Sequence, residues 1–158
     1  MRAVLLLRPR IAIIFYFGRI SVTVSRHRTA LIARAVKAKK RAYAPYSRFR
    51  VGAALLAING TIVDGCNVEN SSYSLTVCAE RNAVFHAVAR GITEFRSIAI
   101  ASDDPDFLPP CGACRQVLSE FNPSMEIILT TVSGKSRVTT LDALFPIPPN
   151  LKKLARAR

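Results

Sequence analysis

Two cysteines, Cys111 and Cys114, follow a pair of prolines in the segment FLPPCGACRQVL, residues 107–118. Prolines directly before an apolar periodic stretch favour a helix start, so Cys111 is expected near the first helical turn. With four cysteines in 158 residues, the chain does not resemble a disulfide-dense secreted domain. In a reducing compartment, a C-x-x-C pair more often binds a metal or performs redox chemistry. A metal site would need further ligands from elsewhere in the chain.

A third cysteine, Cys78, stands at the start of another predicted helix, in VCAERNAVFH. Backbone N–H groups and the positive dipole end of a helix stabilise anionic sulfur, so three thiolates at two helix starts predict a zinc site. Three protein ligands leave one tetrahedral position open, as in catalytic zinc sites. Few other residues could act as a fourth ligand. His86 lies roughly 12 Å further along the same helix as Cys78, so it is expected to point away from the metal. His27 belongs to the N-terminal segment 1–28, which is not expected to be part of the fold. Cys66 is interpreted as a small buried hydrophobic residue, so the fourth metal position is expected to stay open.

Glu80 follows Cys78 by two residues. Zinc lowers the pKa of bound water toward about 7, and a neighbouring carboxylate can carry that proton to a leaving group. A solvated glutamate in the first helical turn is also common, because the helix dipole favours it there. The combination of C-x-E with a later P-C-x-x-C is, however, the signature of zinc deaminases. Glu80 is therefore the predicted catalytic acid and base.

Apolar periodicity and turn signals predict alternating helices and strands after residue 28. A helix is expected to begin at Thr29 as its N-cap and another to end at Gly91. Asn59-Gly60 and the Ser133–Lys135 stretch each predict a turn between two strands. The order αββαβαββ predicts an α/β protein with helices packed on a mixed sheet of about five strands.

The formal charge of +13 is unevenly distributed: 13 of the 23 Lys and Arg residues precede Asp64, and all ten acidic residues lie at or beyond it. Residues 1–28 are interpreted as a basic apolar leader. Charged residues interrupt its apolar runs too often for a membrane span. It is interpreted either as an organellar transit segment or, preferably, as sequence translated from an upstream start codon without a role of its own. Residues 29–147 form the predicted domain, and 148–158 a basic tail. Since 64–158 carry no net charge, neither nucleic acid nor a membrane is expected as a partner.

The sequence from residue 29 to 147 resembles the small, homotetrameric cytidine deaminases. The resemblance is carried by AYAPYSRFRVGAALL (42–56), GCNVENSSY (65–73), CAERNA (78–83), PCGACRQVLSEF (110–121) and LDALF (141–145). It implies a three-layer α/β/α fold and hydrolysis of cytidine and deoxycytidine to uridine and deoxyuridine plus ammonia, in pyrimidine salvage. It also implies a homotetramer in the cytoplasm, unless the leader directs the chain to an organelle.

The resemblance implies a role for each matching residue. Zinc is held by Cys78, Cys111 and Cys114, and water activated by it attacks C4 of the pyrimidine while Glu80 carries the proton. Arg81 would offset the charge of the three thiolates. The residues implied in substrate binding are Asn67 and Glu69 for the ribose, Phe49 for the base, the backbone of Ala79, Tyr73 near a neighbouring subunit, and Phe145 across a subunit interface.

Two other interpretations stay open. Blasticidin S-type deaminases share the cysteine motifs but lack the N-x-E pair that Asn67 and Glu69 form here. A non-enzymatic zinc module that binds nucleic acid would need a fourth ligand and a basic folded surface.

Two residues near the C-terminal motif depart from the family pattern. The family often has Pro at the position of Asp142 and usually has Gly at the position of Pro146. The role of Phe145 between them therefore depends on the structure.

Overall fold

The computed structural model describes residues 20–149, with side chains from Arg26 onward. A short 3-10 turn spans Tyr73–Leu75. The helices are α1 (Ile20–Lys39), α2 (Ala79–Ala89), α3 (Gly112–Phe121) and α4 (Leu141–Leu144), and the strands are β1 (Val51–Ala57), β2 (Ile62–Cys66), β3 (Phe95–Ser102), β4 (Glu126–Thr130) and β5 (Ser136–Thr140).

The five strands form one mixed sheet in the order β2-β1-β3-β4-β5. β3 and β4 are parallel, and the other neighbours are antiparallel. The parallel pair requires a crossover, which α3 provides. The predicted mixed sheet of about five strands is confirmed.

Helices cover both faces of this sheet. Alternate residues of a strand point to opposite faces. In β1, Ala54 and Leu56 pack with Leu31 of α1, whereas Ala53 and Leu55 pack with Ala83 of α2. The predicted three-layer α/β/α fold is therefore confirmed.

Both predicted hairpins are present. β1 and β2 are antiparallel and joined through Gly60, which has a φ of 88°, and β4 and β5 are joined through Gly134 with a φ of 82°. Gly91, which has a φ of 74°, follows the end of α2 as predicted. At these positions a glycine adopts the left-handed backbone without steric cost.

The first helix starts earlier than predicted. Thr29 is not an N-cap, because α1 already begins at Ile20 and Thr29 lies inside it. Arg28 lies one turn before the buried Leu31 and forms two hydrogen bonds with Glu126, with Nη2–Oε2 at 2.5 Å and Nε–Oε1 at 3.2 Å. This contact with β4 attaches the helix turn before Thr29 to the domain. The rest of the predicted leader, residues 1–19, and residues 150–158 of the predicted tail lie outside the described residues.

No helix within residues 20–149 is both long enough and apolar enough to cross a membrane.

Candidate active site

Three cysteines meet where α2 and α3 begin. Cys78 is the N-cap residue of α2, and Cys111 is the N-cap residue of α3. Cys114 lies in the first turn of α3 and is fully buried. The Sγ atoms of Cys78 and Cys111 are 3.9 Å apart, and all three sulfurs lie within 4.8 Å of one another. The two helix starts therefore bring the three predicted ligands together.

The spacing of the three sulfurs fits a zinc ion. With a Zn–S distance of about 2.3 Å, tetrahedral geometry separates two sulfur ligands by about 3.8 Å. The Cys78–Cys111 separation of 3.9 Å matches that value. Among the His, Cys, Asp and Glu side chains of the described residues, these three cysteines form the group that lies close enough together to hold a metal ion. Three ligands leave a fourth zinc position for water or substrate.

The thiols share protons, and Arg81 supports the anionic form. A hydrogen bond from Cys114, followed by those from Arg81 and Cys111, lowers the pKa of Cys78 to about 5. The same contact with Cys78 raises the pKa of Cys114, because the pair holds one proton. The Arg81 guanidinium lies 3.7 Å from Cys78 Sγ, and its Nε is buried with no hydrogen-bond partner among the described residues. A cation beside the sulfurs fits a cluster that becomes fully anionic when it binds a metal.

Glu80 lies in the first turn of α2 and is only 5% exposed. Burial is the largest effect on its carboxyl group and raises its pKa to about 7. A carboxyl with this pKa exchanges a proton readily near neutral pH. Its environment is therefore that of a proton carrier rather than of a solvated surface glutamate.

A cavity of about 440 Å³ opens beside the cysteines and Glu80. Its volume falls in the range of small-molecule sites. It is lined by Ser47, Phe49, Val51, Asn67, Glu69, Thr76, Cys78, Glu80, Leu108, Pro109 and Cys111. The cavity thus joins the cysteine cluster to the residues that the sequence predicts for base and ribose binding.

The two residues predicted to bind ribose are held differently. The Asn67 side chain accepts from the Val51 amide at 2.8 Å and donates to the Phe49 carbonyl at 2.9 Å, so it anchors the chain where it enters β1. Glu69 accepts hydrogen bonds from the Ser47 hydroxyl and from the amides of Tyr46 and Ser47. The hydrogen bond from Ser47 and the two amides keeps the pKa of Glu69 below its ordinary value. Glu69 therefore enters the cavity as a carboxylate.

Three other predicted residues lie outside the cavity lining. Ala79 is buried as the first residue of α2, directly after Cys78. Tyr73 is 65% exposed and packs edge-on against Tyr46, with 6.1 Å between ring centroids. Phe145 packs, partly buried, against the core of its own chain. Within one chain, neither aromatic ring therefore contacts the cavity.

Sequence reasoning missed several lining residues. Ser47 lies in the quoted motif AYAPYSRFRVGAALL, but a serine beside a proline turn carries no chemical signal by itself. Leu108 and Pro109 belong to the loop that precedes Cys111, and only the folded loop shows that they border the cavity. Thr76 accepts a hydrogen bond from the Asn70 amide, which local sequence does not predict.

The excluded candidate ligands lie apart from the cysteine cluster. His86 is exposed, with Nδ1 3.3 Å from the Asp64 carbonyl oxygen. His27 is also exposed and lines a different cavity beside Arg28. Cys66 is half-buried rather than a fully buried hydrophobic residue, because it ends the edge strand β2 with Sγ 3.5 Å from the Arg41 carbonyl.

Comparison with known proteins identifies the family. The sequence profile of the cytidine and deoxycytidylate deaminase zinc-binding region matches residues 25–130. The chain belongs to the cytidine deaminase family. A cytidine deaminase of Sporosarcina psychrophila is 53% identical over 117 residues, covering 73% of this chain and 86% of the relative. Membership makes the chain a zinc-dependent hydrolase, and the cluster of Cys78, Cys111 and Cys114 is compatible with zinc binding.

A solved structure and a second curated relative extend the comparison. The crystal structure of a cytidine deaminase from Burkholderia pseudomallei superposes with a TM-score of 0.74 at 47% identity, covering 77% of this chain and 98% of that one. A blasticidin-S deaminase of Bacillus cereus is 32% identical over 109 residues, covering 64% of this chain and 77% of the relative. The chain is therefore also similar to a deaminase of the type that the sequence left open.

Proposed function

We propose that this enzyme hydrolyses cytidine and deoxycytidine to uridine and deoxyuridine plus ammonia, as a step of pyrimidine salvage. The observation that carries the proposal is one cavity lined by Cys78, Cys111, Glu80 and the anchored carboxylate of Glu69. The first three residues provide hydrolytic chemistry, and Glu69 provides an acceptor for a sugar hydroxyl. The base of a nucleoside would fit the end with the cysteines and Glu80, and its sugar would fit the end with Glu69.

Cys78, Cys111 and Cys114 would hold the zinc, which supplies a water of lowered pKa and Lewis acidity at the reacting carbon. Glu80 would accept a proton from the attacking water and pass it to N3 of the pyrimidine. It would then take a second proton from the new hydroxyl group at C4 and deliver it to the departing amino group, so that ammonia leaves and the C4 carbonyl remains. Its raised pKa, about 7, suits both directions of transfer.

Arg81 would hold the sulfurs in their anionic form without contacting the substrate. Its guanidinium group lies beside Cys78 and also donates to the Thr76 carbonyl at 3.2 Å. Phe49 would pack on the pyrimidine ring, and the N–H of Ala79 at the start of α2 would donate to the pyrimidine carbonyl. The apolar Leu108 and Pro109 would limit access of further water to the reacting carbon.

Glu69 would accept a hydrogen bond from the 3′-hydroxyl group, which cytidine and deoxycytidine share. Asn67 would act mainly through its contacts with Phe49 and Val51, which fix the start of β1 next to the ribose. A site that reads the 3′-hydroxyl accepts both nucleosides.

The direct experiment follows the loss of the cytosine chromophore when purified enzyme is mixed with cytidine, deoxycytidine or blasticidin S. Turnover of both nucleosides, lost with a chelator and restored by zinc, supports the proposal. Turnover of blasticidin S alone would instead support the second activity, toward which the Bacillus cereus relative points. The presence of Glu69 favours the nucleosides, because blasticidin S-type enzymes lack the N-x-E pair.

We also propose that the enzyme is a homotetramer located in the cytoplasm. Tyr73 and Leu75 expose 65% and 64% of their surface in the segment just before the lining residue Thr76, and burial against a neighbouring subunit would remove this apolar surface from water. In the tetramer, Phe145 of one subunit would cover the base bound in another. All four cysteines are free thiols, which suits a reducing compartment.

A further inference from the structure

We propose that Ser47 is a positioning residue that determines recognition of the sugar hydroxyl, because its side chain connects the base-binding and ribose-binding residues. The inference rests on the proposed function and extends it to a residue for which the family motifs predict no role. It starts from the contacts of a single hydroxyl group.

The Ser47 hydroxyl makes two hydrogen bonds in the lining of the cavity. It donates to Oε1 of Glu69, and its oxygen accepts from the Phe49 amide at 3.0 Å. The Phe49 amide, the Ser47 hydroxyl and the Glu69 carboxylate therefore form a continuous chain. The bond from the Phe49 amide therefore fixes the direction in which the Ser47 hydroxyl donates to the carboxylate.

The same turn occupies most of the acceptor capacity of Glu69. The amides of Tyr46 and Ser47 donate to Oε2 at 2.9 and 3.2 Å, and the Ser47 hydroxyl donates to Oε1. A carboxylate has about four lone-pair sites, two on each oxygen. One acceptor site therefore remains on Oε1, the oxygen that Ser47 orients. One remaining acceptor fits one sugar hydroxyl.

The backbone around Ser47 is held in an uncommon conformation. Arg48 has a φ of 57°, which places a residue other than glycine in the left-handed region. This turn brings the Ser47 side chain back to the Phe49 amide. Glu69 contacts Tyr46 and Ser47, which precede Arg48. The Phe49 amide, which follows Arg48, donates to the Ser47 hydroxyl. The Ser47 hydroxyl thus joins the two sides of the strained residue and helps to hold the turn in place.

The test compares cytidine with 2′,3′-dideoxycytidine, which has the same base but lacks the 2′- and 3′-hydroxyl groups. Ser47→Ala is expected to raise KM for cytidine about tenfold with kcat within about twofold, because it removes one hydrogen bond to a charged acceptor. kcat/KM for the dideoxy substrate should change less than about twofold, since its sugar makes no hydrogen bond with Glu69. Ser47→Thr keeps the hydroxyl and should restore discrimination between the two nucleosides.

Ser71→Ala is the matched control, since Ser71 is exposed on the loop that follows Glu69, and it should leave both substrates unaffected. Equal loss with both substrates, or unchanged discrimination in a folded Ser47→Ala enzyme, would overturn the inference. Melting temperatures show whether Ser47→Ala folds. If it does not, Ser47→Cys takes its place with the same expectation, because a thiol of similar size is a much weaker donor. Wild-type turnover of cytidine separately tests the proposed function.

Discussion

Gly65 of β2 lies directly against the backbone of Ala83 in α2. A Cβ added at Gly65 would lie 2.4 Å from the Ala83 nitrogen and 2.5 Å from the Ala79 carbonyl oxygen. The helix can approach the strand this closely only because residue 65 has no side chain. Since Cys78 and Glu80 stand at the start of this helix, the contact sets how deeply both groups sit beside the cavity.

Gly65→Ala should therefore displace α2 and destabilise the enzyme. Insertion of a methyl group against rigid backbone typically costs about 1–3 kcal/mol. We expect a lower denaturation midpoint together with weaker zinc retention. Gly112→Ala is the stability control, because nothing lies within 4 Å of a Cβ added at Gly112. If both variants unfold at the same denaturant concentration, close packing at Gly65 does not position α2.

Glu80→Gln should abolish turnover without loss of the metal. The amide keeps the shape of the side chain but cannot carry a proton, so we expect activity to fall by at least about a hundredfold. Zinc content measured by atomic absorption should stay near one ion per chain. The exposed Glu94→Gln serves as the control and should behave as wild type. Substantial residual turnover by Glu80→Gln would exclude Glu80 as the proton carrier.

Cysteine substitutions should separate the metal ligands from the remaining cysteine. Cys111→Ala removes one of the three clustered sulfurs and should release zinc and lower the melting temperature, because metal binding and folding are linked. Cys66→Ala changes the half-buried cysteine at the end of β2 and should keep both zinc and activity. Zinc loss from Cys66→Ala, or full zinc content in Cys111→Ala, would contradict the ligand assignment.

Asp103 should contribute stability that acid removes. Partial burial raises its pKa, but hydrogen bonds from Lys39 and Arg50 outweigh this effect and lower the pKa to about 2. A carboxyl with a lowered folded-state pKa stabilises the fold above its unfolded pKa of about 3.9, and this stability is lost as pH falls from about 4 to about 2. Asp103→Asn should have a lower urea midpoint than wild type at pH 7, and the difference should shrink across that range.

Asp106→Asn, at an exposed position, is the control and should have the urea midpoint of wild type at pH 7. A midpoint difference for Asp103→Asn that stays constant down to pH 2 would show that the carboxylate charge does not contribute stability through its contacts with Lys39 and Arg50.

The assembly proposal makes a prediction for mixed oligomers. Phe145→Ala and Glu80→Gln should each be impaired when pure. If Phe145 covers the base in a neighbouring subunit, co-refolding should partly restore activity, because a chain with Glu80 borrows Phe145 from its neighbour. Phe145 packs on its own core in a single chain. Mixed oligomers that form, as a tagged pull-down would show, but stay inactive would mean that this ring acts only within its own subunit.

Local patterns predicted the elements that hold the site. The glycine turns, the buried strands and the two helix starts each depend on residues close together in sequence. They could therefore be predicted from the sequence without the tertiary structure. The Thr29 prediction failed because its capping signal is only local. The helix turn before Thr29 instead contacts the domain through Arg28 and Glu126, which are 98 residues apart.

The sequence alone predicted the chemistry of the site, because C-x-E followed by P-C-x-x-C is the signature of zinc deaminases. The tertiary structure decided what surrounds them. It showed that the Asn67 side chain is hydrogen-bonded to the backbone of Val51, that the Ser47 hydroxyl donates to Glu69, and that Gly65 lets α2 approach the sheet. Each of these relations joins segments that meet only after folding. The residue types specify the reaction, whereas the distances between them depend on how the helices pack on the sheet.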